Sequence, residues 1–391
     1  MATDYLSQDF LKSHLQSIVS FCHPACIDQK YGGYICEFRD DQAIMDRDSK
    51  HIVWITRFIY DYSLASIVLE KPEYKASAAH GLDYLETYQK RPEVGYAWIM
   101  NRQSVQDGTK RCYGHAFVLL AFSGAHKAGI PGMRDKIAEA YDLLEQRFYR
   151  PEDGLYVDEY SEDWSNLSPY RGQNCNMHIT EAMLSAYEAT GEVKFLDRAY
   201  QVASRLCRDL APRAGGLIWE HYTPAWSQDW DYHKDNPMHF RRPYGFAVGH
   251  QTEWSKLLLI LERYRTEPWM LAQAEHLFNT ALANGWDHAR GGLIFTFDPD
   301  GRPVDQDRFH WVFNETIAAA ALLAARTGKP EYRDWYNRLW AWCDERMVDH
   351  ERGGWYRNLH PNNVRYDYLT EPLARDYYHP MVMCYETLRV V

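Results

Sequence analysis

Gly291-Gly292-Leu293-Ile294-Phe295 is one of six copies of a short motif, a glycine turn followed by an apolar or aromatic stretch. The other copies are Gly32-Gly33-Tyr34-Ile35, Val94-Gly95-Tyr96-Ala97-Trp98, Asp153-Gly154-Leu155-Tyr156, Gly215-Gly216-Leu217-Ile218-Trp219 and Gly353-Gly354-Trp355-Tyr356. Their second positions are 33, 95, 154, 216, 292 and 354, so the motif recurs at a nearly constant interval, with one longer interval between 216 and 292. Such a period predicts a repeat architecture.

A second marker between these copies predicts two helices in each repeat. It reads Thr327-Gly328-Lys329-Pro330-Glu331-Tyr332, with related segments at 71–74 and 190–195. Glycine after an apolar run is typical of a helix end, and the Pro and Glu that follow are typical of the next helix start. Residues 137–148 have one apolar face, as in an outer helix, whereas Ala116 to Ala125 and Ile317 to Ala325 are apolar nearly all round, as in a buried one.

Six pairs of one buried and one half-exposed helix could form an open solenoid or a closed ring. An open solenoid needs polar repeats at its ends. Met1 to Cys22 and Tyr377 to Val391 are as aromatic and apolar as the middle of the chain. The sequence therefore predicts an all-α protein, an (α/α)6 barrel of six inner and six outer helices in one domain over residues 1–391, with short hairpin-like loops at one mouth.

Composition limits the partners. A net charge of −11, a pI near 5.9 and the absence of Lys/Arg runs argue against nucleic acid. We find neither a run of about 20 apolar residues, as a membrane span needs, nor a signal-peptide pattern, and therefore expect a cytoplasmic protein. The eight cysteines show one local cluster, Cys22-His23-Pro24-Ala25-Cys26, so buried free thiols are expected rather than a zinc site.

Side chains that can form hydrogen bonds or transfer a proton follow each glycine motif, at the place where the next inner helix is predicted to begin. They are Arg57, Tyr113 with His115, His178 with Glu181, His250 with Glu253, Trp311 with Glu315, and His379. Because the starts of inner helices in a ring point to one mouth, these side chains are predicted to converge on one cavity.

Two of these pairs have the pattern His-x-x-Glu, at residues 178–181 and 250–253. Residues at i and i+3 share a helix face, so the Glu can hold a ring nitrogen and fix the tautomer that a general base needs. Three alternatives stay open from the residues alone. The histidines could be satisfied core residues or metal ligands, Arg57 could pair with a core carboxylate, and Trp311 could serve packing alone.

The connection from His221 to Gly249 lies in the one long interval of the repeat, between positions 216 and 292. It contains Trp226, Trp230, Tyr232 and Phe240, which is too aromatic a composition for disorder. Loops of this length in compact domains usually bind ligands or act as lids. We expect it to contribute to the site.

Several segments together resemble the N-acylglucosamine 2-epimerase superfamily. They are Arg171-Gly172-Gln173-Asn174-Cys175-Asn176-Met177-His178, Lys234-Asp235-Asn236-Pro237, Gly249-His250-Gln251-Thr252-Glu253-Trp254 and Tyr378-His379. The resemblance covers nearly the whole chain and is strongest to the aldose–ketose isomerase branch of mannose and sulfoquinovose isomerases. It implies an (α/α)6 barrel, a monosaccharide substrate, and no metal or other cofactor.

The resemblance also implies roles for individual residues. His250 and His379 would be the acid/base pair on opposite sides of the sugar, with Glu253 orienting His250. His178 would assist ring opening, and Arg57 would contact the oxygens at C1 and C2. The pocket would be lined by Tyr113, Asn174, Arg242, Trp311 and Glu315, where Arg241 is an adjacent alternative to Arg242.

Two departures from the superfamily pattern bear on the substrate. Epimerases for larger sugars tend to carry Trp-Trp where this chain has His310-Trp311, and the sulfosugar branch tends to carry a Gln near Arg357. Both departures favour an isomerase of D-mannose and D-fructose, with lyxose and xylulose as further substrates. The alternatives are a mannose/glucose 2-epimerase, a sulfoquinovose isomerase, a glycoside hydrolase using Glu181, Glu253 or Glu315, and a sugar-binding protein. The sequence leaves the oligomeric state open, a homo-oligomer included.

Overall fold

The computed structural model describes residues 3–92, 94–239, 241–366 and 377–391. Their contacts group into two compact units. The first unit contains residues 16–202 and 377–381, and the second contains residues 3–15, 203–366 and 382–391. The single domain over residues 1–391 stays a prediction.

Within these ranges the chain forms twelve α-helices, the number predicted from the repeat. They are α1 (Gln8–Ser20), α2 (Ile52–Leu69), α3 (Pro72–Tyr84), α4 (Cys112–Lys127), α5 (Met133–Arg147), α6 (Gln173–Thr190), α7 (Val193–Ala203), α8 (Val248–Glu262), α9 (Pro268–Gly285), α10 (His310–Thr327), α11 (Pro330–Arg346) and α12 (Tyr378–Leu388). The predicted helix ends are confirmed: Gly191 and Gly328 end α6 and α10 in the left-handed conformation, and Pro72 and Pro330 begin α3 and α11.

Burial alternates along the chain as the apolar patterns predicted. In the first unit, thirteen of the sixteen residues of α4 are buried, against three of the fifteen of α5. In the second unit, fourteen of the fifteen residues of α8 are buried, against six of the seventeen of α11. Buried helices pack on one another, α2 on α4 and α4 on α6 in the first unit and α8 on α10 in the second, and each of α2, α4, α8 and α10 also packs on the outer helix that follows it.

Helix α2 is long and apolar enough to cross a membrane by length and composition, with a mean hydropathy of 1.4 over 18 residues. It carries Arg57 and Asp61 at its centre, and 72% of the helix is buried inside the protein. These properties are those of a core helix, because a lipid-facing helix would expose its apolar surface.

Fifteen short strands lie in the described connections. They are β1 (Glu37–Phe38), β2 (Ile44–Asp46), β3 (Ser49–His51), β4 (Ile99–Asn101), β5 (Ser104–Asp107), β6 (Lys110–Arg111), β7 (Tyr149–Arg150), β8 (Leu155–Tyr156), β9 (Glu159–Tyr160), β10 (Arg171–Gly172), β11 (His221–Tyr222), β12 (Phe246–Ala247), β13 (Thr296–Phe297), β14 (Arg308–Phe309) and β15 (Asn358–Leu359). Strands β3, β6, β10, β12 and β14 each end directly before a buried helix, so the strand pairs fix where those helices begin.

Each glycine motif closes a tight turn after an outer helix. In the copy that follows α9, Asp287 N–H donates to Gly292 O at 2.9 Å, and Gly291 N–H donates back to Asp287 O at 2.8 Å. The Asp287 carboxylate accepts from the N–H groups two and three residues on. Gly292 has a φ of 92°, and a Cβ there would lie 2.7 Å from Trp342, so both conformation and space require glycine.

The same turn recurs with an aspartate at the same place in two other copies, Asp28 before Gly32-Gly33 and Asp349 before Gly353-Gly354. In two copies a buried cation from the strand directly before the next buried helix binds that carboxylate. Lys50 Nζ lies 2.8 Å from Asp28 Oδ2 in the first unit, and Arg308 Nη2 lies 2.6 Å from Asp287 Oδ2 in the second. A buried ion pair therefore recurs in the repeat along with the apolar motif.

All eight cysteines are free and buried, as the sequence predicted. Burial raises the pKa of several of them, including Cys36, Cys207 and Cys343. A buried thiol with a raised pKa is a poor nucleophile and a poor metal ligand, because both roles need the thiolate.

Candidate active site

The predicted site residues occupy two recurring positions on the buried helices. Tyr113, Asn174, His250, Trp311 and His379 lie in the first turn of α4, α6, α8, α10 and α12. Four others are each the sixth residue of their helix: Arg57 in α2, His178 in α6, Glu253 in α8 and Glu315 in α10. Side chains three to four residues apart share a helix face, so α6, α8 and α10, which carry both positions, present the two side chains on one side.

In the first unit, the guanidinium of Arg57 is fixed by three aromatic side chains. Its Nη2 donates to Tyr113 Oη at 3.0 Å. Its planar group lies over the rings of Phe117 and Tyr378, 4.6 and 4.7 Å from the centroids. Stacking of this kind favours the cation and restricts its rotamers. Arg57 is buried, so its charge acts in a site largely closed to water.

His178 and Glu181 form the predicted i, i+3 pair, with Nδ1 and Oε2 3.0 Å apart. The same carboxylate oxygen accepts a hydrogen bond from Tyr378 Oη. The His178 ring packs between Tyr113 and Phe117, 5.1 and 4.7 Å between centroids. The carboxylate therefore requires the Nδ1–H tautomer and leaves Nε2 as the other functional nitrogen.

His115, which the sequence grouped with Tyr113, is a structural residue. Its Nδ1 donates to Arg111 O at 2.7 Å, and its Nε2 accepts from Tyr96 N–H at 3.1 Å. Burial lowers its pKa to about 4. Both nitrogens of this neutral ring are used by the backbone, so the prediction that it serves the site is wrong.

In the second unit, the structure corrects the residue expected to orient His250. Its Nδ1 lies 2.9 Å from Glu220 Oε2, a carboxylate that follows the fourth glycine motif, rather than from Glu253. Glu220 and Glu253 are both buried. Since a carboxylate can only accept from Nδ1–H, Nε2 of His250 carries the lone pair, as a general base requires.

Trp311 packs against His250, with the two ring centroids 5.0 Å apart. Gly249, the residue before His250, makes this contact possible, because a Cβ there would lie 2.3 Å from the indole of Trp311. The aromatic face beside His250 therefore depends on glycine in the first turn of α8.

Glu315 is paired to a residue that the sequence did not single out. Lys256, on α8, has no exposed side-chain surface, and its Nζ lies 2.5 Å from Glu315 Oε2 and 3.9 Å from Glu253 Oε1. A buried carboxylate without such a partner would be strongly disfavoured in its charged form. Lys256 thus places a positive charge directly beside Glu315 in the core.

Of the two adjacent arginines in the long connection, Arg242 is the more buried. Arg242 is half-buried and donates from Nη1 to Tyr232 Oη at 3.3 Å, whereas Arg241 is exposed.

Asn174, a predicted lining residue of the first unit, is also half-buried, and its Oδ1 is buried without a hydrogen-bond partner among the described residues.

Sequence reasoning missed Glu220, Lys256 and the hydroxyl of Tyr378. Glu220 could have been identified from the sequence, since this residue directly follows the quoted motif Gly215-Gly216-Leu217-Ile218-Trp219. Lys256 carried a weaker signal, a lysine directly before the apolar run of residues 257–261 in α8.

The chain belongs to the N-acylglucosamine 2-epimerase family, which it matches over residues 32–383. Membership of this family places the protein among enzymes that act on sugars and are built on helical barrels. The individual relatives narrow the class of enzyme further.

The chain is 42% identical over 386 residues to a D-mannose isomerase of Marinomonas mediterranea, covering 98% of both proteins. It is 38% identical over 313 residues to a D-mannose isomerase of Thermobifida fusca, covering 79% of this chain and 77% of that protein. A crystal structure of a D-mannose isomerase matches with a TM-score of 0.97 and 41% identity over 100% of both chains. The predicted fold class, the (α/α)6 barrel, is confirmed by this match.

Proposed function

We propose that this protein is an aldose–ketose isomerase that interconverts D-mannose and D-fructose. A relative and a solved structure that are each more than 40% identical to it over nearly its full length are both D-mannose isomerases. The structural observation that carries the proposal is the contact between His250 Nδ1 and Glu220 Oε2 at 2.9 Å, which prepares the other ring nitrogen to accept a proton.

The chemistry needs a base with a pKa near ambient pH, because the proton on the carbon beside an aldehyde is weakly acidic. A neutral imidazole, with an ordinary pKa near 6.5, is suited to this task. In the proposed mechanism His250 and His379 exchange protons with the substrate. One removes the proton at C2, a proton returns to C1, and the hydroxyl proton moves from O2 to O1 to give the ketose.

The other predicted residues support the steps around proton transfer. His178, held by Glu181, assists opening of the sugar ring, and Arg57 stabilises the negative charge that develops on the enediolate oxygens. A guanidinium already fixed by Tyr113 and two aromatic rings loses little freedom when that charge appears. Glu253 remains a proposed member of the site, as do Tyr113, Asn174, Arg242, Trp311 and Glu315 as residues that line it.

The two departures from the superfamily pattern are in contact with each other. His310 Nδ1 donates to the carbonyl oxygen of Arg357 at 3.0 Å, and His310 N–H donates to the same oxygen at 3.0 Å. The His310 ring is therefore bonded to a backbone carbonyl, and it does not serve as a second stacking surface beside Trp311. This favours a monosaccharide over a larger sugar.

The test is proton NMR of D-mannose incubated with chelator-treated enzyme in heavy water. We expect fructose carrying solvent deuterium at C1, with no early glucose. Early glucose would indicate a 2-epimerase instead. No conversion of mannose would contradict the proposal, and sulfoquinovose and manno-oligosaccharides would then separate a sulfosugar isomerase from a glycoside hydrolase. Saturable binding without turnover of any of these sugars would indicate a binding protein.

A further inference from the structure

Three histidines hold the backbone of the segment that bears Arg242. His239 Nδ1 accepts hydrogen bonds from the N–H groups of Arg241 and Arg242 at 3.3 and 3.1 Å. His233 Nδ1 donates to the carbonyl oxygen of Arg242 at 2.6 Å. His221 Nε2 donates to the carbonyl oxygen of Pro243 at 2.7 Å. Residues 241–243 are thus bonded on both the donor and the acceptor side.

The same histidines, with Tyr232, form a cluster of tilted rings that also reaches the Arg242 side chain. Centroid distances are 4.5 Å from His221 to Tyr232, 4.4 Å from Tyr232 to His233, and 4.2 Å from His233 to His239, with interplanar angles of 32 to 36°. Tyr232, within this cluster, accepts from Arg242 Nη1 at 3.3 Å. The backbone and the guanidinium of Arg242 are therefore held by one aromatic cluster.

We propose that His221, His233 and His239 are a three-histidine clamp whose function is to position Arg242 for the sugar, with His239 as its proton-sensitive member. The inference rests on the proposed function for its kinetic part. A residue in a long connection needs such support, because an arginine side chain loses considerable rotamer entropy when it is held in one geometry. The clamp supplies that order before the substrate binds.

The hydrogen bonds assign protonation states to the clamp. His239 accepts through Nδ1, so that nitrogen must be unprotonated and the ring neutral. His233 donates through Nδ1 and His221 through Nε2, which neutral rings also satisfy. Only His239 loses its hydrogen bonds on gaining a proton. Acid should therefore release the N–H group of Arg241 first, because the N–H of Arg242 also donates to the carbonyl oxygen of His239 at 3.3 Å.

Burial, with neighbouring cationic groups, favours the neutral forms of His239 and His221. Burial lowers the pKa of His239, and the charges of His233, Arg242 and Arg241 lower it further. Burial lowers the pKa of His221 to about 4; the carbonyl of Pro243 and the charge of Glu220 raise it, while His233 and Arg242 lower it. His239 therefore gains its proton at a lower pH than an ordinary histidine, so its bonds to the backbone persist near neutral pH.

The test compares His239→Ala, His239→Asn and the control His350→Ala, an exposed histidine outside the site. Asparagine accepts from the N–H groups two and three residues on, as in an Asx turn, but does not titrate. At neutral pH we expect the KM for mannose to rise about fivefold in His239→Ala with kcat nearly unchanged, since the loss amounts to roughly one hydrogen bond. His239→Asn and His350→Ala should keep the wild-type KM.

A second expectation concerns pH. The KM of the wild type should rise at acid pH, below the ordinary histidine pKa of about 6.5, and the KM of His239→Asn should not show this rise. Equal KM values in His239→Ala and the wild type would overturn the proposal. So would the same acid-side rise in His239→Asn as in the wild type.

Limited trypsin digestion tests the clamp without any sugar. Trypsin cuts after Arg241 but not after Arg242, because Pro243 follows. We expect faster cutting after Arg241 in His239→Ala than in His239→Asn, and unchanged cutting would overturn the clamp. If wild-type protein made no fructose from mannose, the proposed function would fail alone: digestion would still decide the clamp, and the KM comparison would use the sugar that is turned over.

Discussion

Glu220 Oε2 lies 2.9 Å from Nδ1 of His250, a residue thirty positions further along the chain. Glu220 is 4% exposed, so this carboxylate contacts His250 in surroundings that contain little water. A buried acceptor of this kind fixes the imidazole tautomer and stabilises the imidazolium that forms when Nε2 takes a proton. In the proposed mechanism, this pair is the element on which proton transfer depends most directly.

Glu220→Gln should lower kcat for mannose by roughly 100-fold, within the range that general acid–base catalysis contributes. The amide keeps the shape but cannot stabilise the charged ring. The measurement is kcat at several pH values, with Glu262→Gln as the control. Glu262 is a second buried carboxylate, which pairs with Arg326 near the far end of α8. Equal losses of kcat in the two variants would show that the effect is structural.

Tyr378→Phe should destabilise the first unit by about 1 to 3 kcal/mol, because the buried Glu181 oxygen loses a donor. It should also lower kcat, since Glu181 holds His178. The free energy of unfolding in urea and the rate of fructose formation measure the two effects. Tyr60→Phe, a buried tyrosine that packs near Tyr378, is the matched control. A Tyr378→Phe protein of wild-type stability would contradict the inferred hydrogen bond.

Gly292→Ala should destabilise the protein more than Gly215→Ala. Both glycines belong to the repeated motif and have positive φ values, 92° and 67°. A Cβ at Gly215 meets nothing within 4 Å, so its cost is the backbone term of about 1 to 2 kcal/mol. A Cβ at Gly292 meets Trp342 at 2.7 Å, which adds about 1 to 3 kcal/mol of overpacking. Thermal denaturation of both variants separates the two contributions.

Asp287→Asn should destabilise the protein by about 3 to 5 kcal/mol, because it leaves the fully buried Arg308 side chain without its carboxylate. The control is Asp300→Asn, which breaks an exposed pair with Arg302 and should cost less than about 1 kcal/mol. Chemical denaturation near neutral pH measures both. Equal losses would show that burial of the pair does not matter.

The Asp287 pair should also contribute to acid sensitivity. Burial alone would raise the pKa of Asp287, but the N–H groups of Arg290 and Ala289 and the charge of Arg308 lower it below its usual value. A group with a lowered folded-state pKa stabilises the protein above its unfolded pKa of about 4 and loses this effect as the pH falls further. Between pH 5 and the acid transition, wild-type stability should fall more steeply than that of Asp287→Asn.

Asp61→Asn should have the opposite pH signature. Asp61 is 7% exposed, lines a cavity of about 10 Å³ with Phe58, Tyr62 and Met381, and has an Oδ1 without a hydrogen-bond partner among the described residues. Burial raises its pKa well above the ordinary value, against the opposing charge of Arg57.

A raised folded-state pKa gives stability that is fully present below the unfolded pKa of about 4 and is lost as the pH rises through the folded value. Asparagine removes this dependence. We therefore expect the thermal midpoint of Asp61→Asn, relative to the wild type, to be higher at pH 8 than at pH 5. Asp83→Asn, an exposed change on α3, should show no such difference. Identical pH dependence in Asp61→Asn and the wild type would contradict this account.

Much of the fold was predictable because its signals are local. The glycine motifs require particular turns, as Gly292 illustrates, and the alternation of all-apolar helices such as α10 with amphipathic ones such as α5 follows from burial. The predicted site residues could be placed for the same reason. The regular recurrence of the motif puts Arg57, His178 and Glu315 at the same position of their buried helices.

The partners of those residues were predictable only where they lie within a few residues. The contact between His178 and Glu181 follows from helix geometry, and it was found. The same interpretation was wrong for His250 and Glu253, because Nδ1 of His250 contacts Glu220 from the preceding connection instead. His115 was misjudged for a similar reason, since the Tyr96 N–H that satisfies it lies nineteen residues earlier.

The order of amino acids was enough to establish the number and kind of helices, the places where buried helices begin, and the residue types available for proton transfer. Helix periodicity and turn chemistry depend on neighbouring residues, so one chain read in order contains them. Folding in three dimensions was needed to show which carboxylate holds His250, that Lys256 neutralises Glu315, and that three histidines hold the backbone at Arg242. These contacts join segments whose distance depends on how helices pack, and packing sums many weak interactions that no local pattern encodes.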